Sequence, residues 1–165
     1  DEVSYYLGRC FAAKQKWSHA ISHYQKALQL EDRREEYYDG LAFAYWQVED
    51  YAKADYYYSK ATETGPEQSC YWVQHARFLL EIGEPSAALS VLDEAEYHTV
   101  GTDLLFSRAA CYYKLELTKQ AYSVLEEALM EDFDRHPFFF RMAPEARLDQ
   151  EVSSMIRFFE KEMTE

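Results

Sequence analysis

The sequence predicts an all-α protein in which antiparallel helix hairpins stack into a solenoid. Apolar residues recur at helical spacing in short segments, and short polar breaks separate these segments. The same order of small and large residues then returns at a nearly constant interval along the chain. A hairpin of two short helices cannot bury both of its apolar stripes alone, so repeated hairpins must cover one another.

The stretch 38–61 displays the repeating unit most clearly. An apolar stripe marks its first helix, and a second stripe follows a polar break at Glu49 and Asp50. The stripes consist of Tyr38, Leu41, Ala42 and Tyr45 in the first helix, and of Tyr51, Ala54, Tyr58 and Ala61 in the second. Residues at this spacing share one face of a helix, so each stripe predicts a buried helix face.

The small residues of this unit recur in every hairpin. Each second helix has an alanine, a large residue four positions later and another alanine three positions after that. These patterns begin at Ala20, Ala54, Ala88 and Ala121, which are 34, 34 and 33 residues apart. Small residues let two helix backbones approach closely, while the large residues fill the holes between hairpins.

At these positions the chain resembles the tetratricopeptide repeat (TPR) family, whose motif runs W-x2-L-G-x2-Y, then A-x3-F, then Pro. Leu7-Gly8-x-x-Phe11 and Leu41-Ala42-x-x-Tyr45 match its first helix, and the resemblance covers about residues 1–131. The chain departs from the motif at Ser4, His75 and Arg108. The resemblance implies a right-handed superhelical solenoid, with the first helices of the hairpins lining its concave face.

Eight helices follow from the repeat, near 2–14, 18–30, 35–47, 51–63, 67–82, 85–97, 103–115 and 119–131. They form four repeats of about 1–34, 35–68, 69–101 and 102–131. Pro66 and Pro85 are expected to open helices, because proline suits the first helical turn. Thr102 and Thr118 are expected to cap helices with their hydroxyl groups.

The repeat stops after Asp132, and residues 132–165 are expected to form an apolar connector and a capping helix. The capping helix is predicted near 149–162, with Asp149 as its N-cap. Its apolar stripe consists of Val152, Met155, Ile156 and Phe159. The apolar face of the last repeat in a solenoid must be covered, which favours a capping role for this helix. The alternative is an exposed patch that recruits another subunit.

Composition and charge narrow the choice of partner. Seventeen Lys and Arg residues against 30 Asp and Glu give a net charge of −13, which repels nucleic acid and favours neutral or basic proteins. No apolar run is long enough to insert into a membrane. The chain opens at Asp1 inside a helical pattern, so we expect a piece of a longer protein. The open N-terminal edge could meet upstream repeats or a second copy, and the C-terminal helix offers another route to a homodimer.

Enzyme chemistry has no support in the sequence. There is no G-x-S-x-G, no P-loop and no glycine-rich phosphate cradle, so no catalytic residue and no cofactor are expected. His19 and His23 have a chelating spacing but lack a third ligand, so no metal is expected either. Cys10, Cys70 and Cys111 are widely spaced and are expected to be buried apolar residues rather than disulfide partners.

The exposed positions of the first helices supply the candidate partner-binding residues. Aromatic side chains interleaved with arginine are typical of interface hot spots. The candidates are Tyr5, Arg9, Asp39, Phe43, Trp46, Gln47, Arg77, Phe106, Tyr113 and Lys114. The alternative for the rings among them is packing between neighbouring hairpins.

By resemblance, the predicted function is non-enzymatic protein–protein or peptide binding through the concave face of a module within a longer protein. The alternative is an architectural segment that stacks on upstream repeats or self-associates and has no dedicated peptide ligand. One TPR subtype binds chaperone C-terminal carboxylates through a clamp of Lys, Arg and two Asn. This chain contains no Asn, which argues against that clamp.

Overall fold

The computed structural model describes residues 1–163, and these residues are helical with no β-strand. Its helices are α1 (Glu2–Ala13), α2 (Trp17–Leu30), α3 (Glu35–Gln47), α4 (Tyr51–Thr64), α5 (Ser69–Glu81), α6 (Pro85–Ala95), α7 (Thr102–Lys114), α8 (Thr118–Glu131), α9 (Pro137–Met142) and α10 (Gln150–Glu162). Two 3-10 turns, Phe133–Arg135 and Pro144–Leu148, flank α9. The all-α prediction is confirmed, and each predicted repeat helix agrees with a structural one to within two residues at either end.

The chain divides into two compact units, residues 1–78 and the residues from 79 onward, called here the first and second units. In the first unit, α1 packs on α2 and α3 packs on α4, as antiparallel hairpins require. In the second unit, α7 packs on α8 in the same way and α6 packs on α7. The alanines of the repeat pattern are buried in both units, which explains why these positions must stay small.

A left-handed residue follows the first helix of each hairpin. Gln15, Glu49, Gly83 and Glu116 have φ angles of 55°, 61°, 84° and 59°. They lie in the turns from α1 to α2, α3 to α4, α5 to α6 and α7 to α8. The repeat therefore extends to the backbone of its turns, although only one of the four positions is glycine.

Tyr24 is the central aromatic residue of the first unit's buried layer. A Cβ atom at Gly8 would lie 2.7 Å from the Tyr24 ring, and one at Gly40 would lie 3.0 Å from it. These two glycines let the ring lie directly against the backbones of α1 and α3. Burial also raises the pKa of the Tyr24 phenol to about 12.

The C-terminal segment of the second unit folds back onto the last hairpin. α9 packs on α7, and α10 packs on α8. Asp149 caps α10 by accepting hydrogen bonds from the backbone N–H groups of Glu151 and Val152, at 2.9 and 3.1 Å. The same carboxylate accepts from the hydroxyl groups of Tyr113 and Tyr122, at 3.1 and 2.8 Å. The predicted N-cap at Asp149 is confirmed, and its side chain also ties α10 to α7 and α8.

Of the residues predicted to open or cap the other helices, only Pro85 has the predicted position. Pro85 opens α6 as expected, but Pro66 lies in a turn before α5. The Pro66 carbonyl there accepts a hydrogen bond from the indole N–H of Trp72, at 2.8 Å. Thr102 and Thr118 are the first helical residues of α7 and α8 and cap neither helix.

The cysteines also differ from the prediction. Cys111 is buried as expected, and burial raises the pKa of its thiol to about 12. Cys10 and Cys70 are exposed free thiols, so the expectation that they are buried is wrong. Among the described residues, no helix is both long and apolar enough to cross a membrane.

Candidate functional site

A groove of about 460 Å³ lies in the first unit, within the size range of ligand pockets. Four of its lining residues are among the sequence-predicted partner-binding residues: Tyr5, Arg9, Asp39 and Phe43. The remaining lining residues are Tyr24, Gly40, Tyr58 and Gln74. The groove thus draws side chains from five consecutive helices, α1 to α5.

The aromatic walls of this groove are held in place by other rings. The Tyr5 ring lies 4.8 Å from the Tyr37 ring and 5.8 Å from the Tyr24 ring, between centroids. Tyr58 is almost fully buried, and its ring lies 5.4 Å from that of Phe78. Such mutual packing makes the walls rigid, which reduces the entropy lost when a ligand binds.

Asp39 is the unusual residue of the groove. Its Oδ1 atom is shielded from solvent and has no hydrogen-bond partner. Burial raises the pKa of this carboxyl from 3.8 to about 6, and the positive charge of Arg77 opposes that rise. A buried acceptor without a partner costs free energy in the unbound protein, and such groups concentrate at functional sites.

The two predicted arginines both lie over aromatic rings. The Arg9 guanidinium is 5.8 Å from the centroid of Tyr5, and the Arg77 guanidinium is 5.4 Å from that of Trp46. These are cation–π distances. Arg9 is otherwise exposed at the groove, whereas no ion pair within 4.0 Å joins Arg77 to Asp39 among the described residues. Arg77 therefore acts on the Asp39 carboxylate without direct contact, and Arg9 lines the same groove.

Trp46 and Phe43 belong to a continuous row of rings in the first unit. Phe43 lies 5.8 Å from both Trp17 and Trp46, and Trp46 lies 5.6 Å from Phe78. Phe43 lines the groove, whereas Trp46 does not. Trp46 therefore packs between helices of the first unit, as the alternative for the rings expected. Gln47 lies exposed at the end of α3.

The three predicted residues of the second unit have partners within that unit. Phe106 is fully buried, so the expectation that it lies on an exposed face is wrong. The Tyr113 hydroxyl donates to Asp149, and the Lys114 ammonium pairs with Glu145 at 2.8 Å. The physical reason is that the C-terminal segment folds over α7 and uses these side chains to hold itself there.

Sequence reasoning missed Tyr24, Gly40, Tyr58 and Gln74 as groove residues. Tyr24 and Tyr58 occupy the large position of the second-helix pattern, which assigned them to packing alone. Both are buried, yet each presents part of its ring to the groove. The one available signal was Gly40, since a glycine inside a helical stripe marks a close approach by another group.

Three of the histidines pack against aromatic rings or form a hydrogen bond within the first unit. The rings of His19 and His23 both stack on Phe11, with centroids 5.1 and 5.2 Å away. The Nε2 atom of the buried His75 lies 2.7 Å from Asp55 Oδ1, and this hydrogen bond lowers the pKa of the Asp55 carboxyl. No group of three or more His, Cys, Asp or Glu side chains that could hold a metal ion occurs within residues 1–163.

No protein-family model and no curated protein matches the sequence. The fold of the chain is, however, similar to the folds of several solved structures. YrrB, described as a TPR protein with an unusual peptide-binding site, is 19% identical with a TM-score of 0.63, over 92% of this chain and 80% of that one. A thermophilic TPR protein of Thermus thermophilus is 18% identical with a TM-score of 0.69, over 89% and 81%.

PilW, described as a widely conserved type IV pilus biogenesis factor, is 15% identical with a TM-score of 0.71, over 99% of this chain and 78% of that one. At such low identities a structural likeness establishes the fold and nothing finer. The repeated small residues, the helix hairpins and these similarities together show that the chain has the fold of the tetratricopeptide repeat proteins.

Proposed function

We propose that this chain is a non-enzymatic module that binds a protein or peptide through the groove of its first unit. The observation that supports the proposal most strongly is the solvent-shielded Asp39 oxygen without a partner, beside exposed Arg9 and the ring of Phe43. Among the groove-lining residues, Asp39 is the one with a buried polar atom that has no hydrogen-bond partner, and a ligand donor would supply that partner. The similar fold of YrrB, described as having a peptide-binding site, is consistent with this use.

The proposed partner is neutral or basic, because the chain carries a net charge of −13. Of the ten residues that the sequence suggested, the proposal keeps Tyr5, Arg9, Asp39 and Phe43 as direct contacts. Trp46 packs against the Phe43 ring, and Arg77 lies over the Trp46 ring, so these two residues hold Phe43 in place without lining the groove. The proposed interface is therefore smaller than the sequence suggested.

The test is a selection of short random peptides on the immobilised chain, followed by measurement of Kd for the enriched peptides. We expect Phe43→Ala and Arg9→Ala each to weaken binding about tenfold, the usual effect of losing a hot-spot side chain. Phe158→Ala and Arg33→Ala are matched controls on exposed residues outside the groove. Thermal melting of each variant separates lost binding from lost folding. Equal affinity of the groove variants and the wild type would refute the proposal.

A second candidate is an architectural role through self-association, and the surface of α1 is the observation in its favour. Val3 is 74% exposed, Tyr6 is 56% exposed and Leu7 is 42% exposed. Apolar side chains so exposed on one helix are typical of an interface. Light scattering at high concentration distinguishes the candidates, because a strict monomer removes the self-associating one.

A further inference from the structure

We infer that the groove of the first unit recognises a cationic side chain of its partner, a lysine or an arginine, whose N–H group donates to Asp39. This inference rests on the proposed function and adds the chemistry of the bound residue. It concerns one occupant, a basic side chain presented by a protein or peptide, and not a free anion or a nucleic acid.

The buried oxygen of Asp39 lacks a hydrogen-bond donor. Its Oδ1 atom is shielded from solvent and has no hydrogen-bond partner among the described residues. A carboxylate only accepts hydrogen bonds, so a ligand that satisfies it must supply N–H or O–H. A charged donor forms a shorter and stronger hydrogen bond with a carboxylate than a neutral one does.

Aromatic rings share the groove with the Asp39 carboxylate. The groove is lined by Tyr5, Tyr24, Phe43 and Tyr58, and it passes beside the Asp39 side chain. Aromatic faces attract cations and also accept the methylene chain of a lysine or arginine. The Arg9 guanidinium already lies over the Tyr5 ring, so this groove ring accepts a cation.

An anionic group is disfavoured at the Asp39 oxygen itself. A carboxylate or phosphate drawn by Arg9 and Arg77 would place a second negative charge beside Asp39 in a partly dehydrated groove. Like charges at such short range are strongly unfavourable. The overall charge of −13 acts in the same direction and steers basic partners toward the chain.

The inference is tested by NMR titration of the full chain with three small probes at neutral pH. The probes are the N-acetyl methylamides of lysine, norleucine and glutamate, which differ at the side-chain end in charge and polarity. We expect the lysine probe to produce saturable shifts of the Arg9, Asp39 and Gly40 amide resonances. Asp39→Asn should weaken this binding roughly fivefold or more, because the charged acceptor is lost. Asp32→Asn, an exposed aspartate outside the groove, is the matched control and should leave it unchanged.

Three results would overturn the inference: norleucine binding as tightly as lysine, an Asp39→Asn variant that binds lysine unchanged, or no groove shift with the lysine probe. Tighter binding of the glutamate probe would replace the cationic occupant with an acidic one. The failure of this inference differs from failure of the proposed function. Selected peptides that need Phe43 and Arg9 but tolerate Asp39→Asn would leave the groove as the binding site and remove only the cationic contact.

Discussion

Asp39 makes the free protein less stable at neutral pH than it would be with a neutral residue there. Its carboxyl has a pKa of about 6 in the folded chain, against an ordinary value of 3.8. Between these two pH values the folded state keeps a proton that the unfolded state has released. The contribution of Asp39 to stability therefore falls as pH rises through this window, and above it the full cost of the buried charge remains.

The titratable and charged groups around Asp39 come from four helices. They are Tyr5 and Arg9 from α1, Tyr24 from α2, Tyr58 from α4, and Cys70, Tyr71 and Arg77 from α5. Burial raises the pKa values of the phenols and the thiol further above their ordinary alkaline ones. Asp39 is therefore the member of this set that changes charge near pH 6.

Asp39→Asn should consequently stabilise the unbound protein at about pH 7.5 by roughly 1–3 kcal/mol, while the difference should shrink toward about pH 4. Urea unfolding at both pH values measures this. Asp32→Asn, whose side chain is exposed, should change little at either pH. A variant that is destabilised at neutral pH would mean that Asp39 is structural, and would remove the argument that a ligand must satisfy it.

The turns within the hairpins illustrate what periodicity can and cannot predict. The helical stripes located eight helices because a buried face needs apolar residues at fixed spacing. The left-handed positions Gln15, Glu49 and Glu116 were not predicted, since glutamine and glutamate carry no signal for positive φ. The short α9 was missed for a related reason, because six residues of mixed aromatic sequence are too few for a period.

Glu49→Gly should raise the stability of the chain by about 0.5–1 kcal/mol. Relief of left-handed strain at φ 61° is worth about 1–2 kcal/mol, and the greater freedom of glycine in the unfolded chain offsets part of that. Gly83→Ala is the reciprocal control: it should destabilise the chain by about 1 kcal/mol, because φ there is 84° although nothing crowds the position. Thermal unfolding of both variants measures the effect. Destabilisation by Glu49→Gly would show that the glutamate side chain has another role in the turn.

Across the whole molecule, the fold was predictable, and so was part of the lining of the candidate groove. Interlocking small and large residues determine the repeat, and this is why proteins only 15% to 19% identical share it. Tyr5, Arg9, Asp39 and Phe43 were predicted and lie together in one groove. Phe106, Tyr113 and Lys114 were predicted in the same way, but the C-terminal segment engages α7. The repeat pattern ends before that segment, so it could not show which exposed face the segment would cover.

The most direct test of the central claim is a crystal structure of the full chain bound to a peptide from the selection. We expect the peptide to lie in the groove of the first unit, in contact with Phe43 and Tyr5, and to place a lysine or arginine nitrogen within hydrogen-bond distance of Asp39. A peptide bound only to the second unit, with the groove of the first unit empty, would contradict the account.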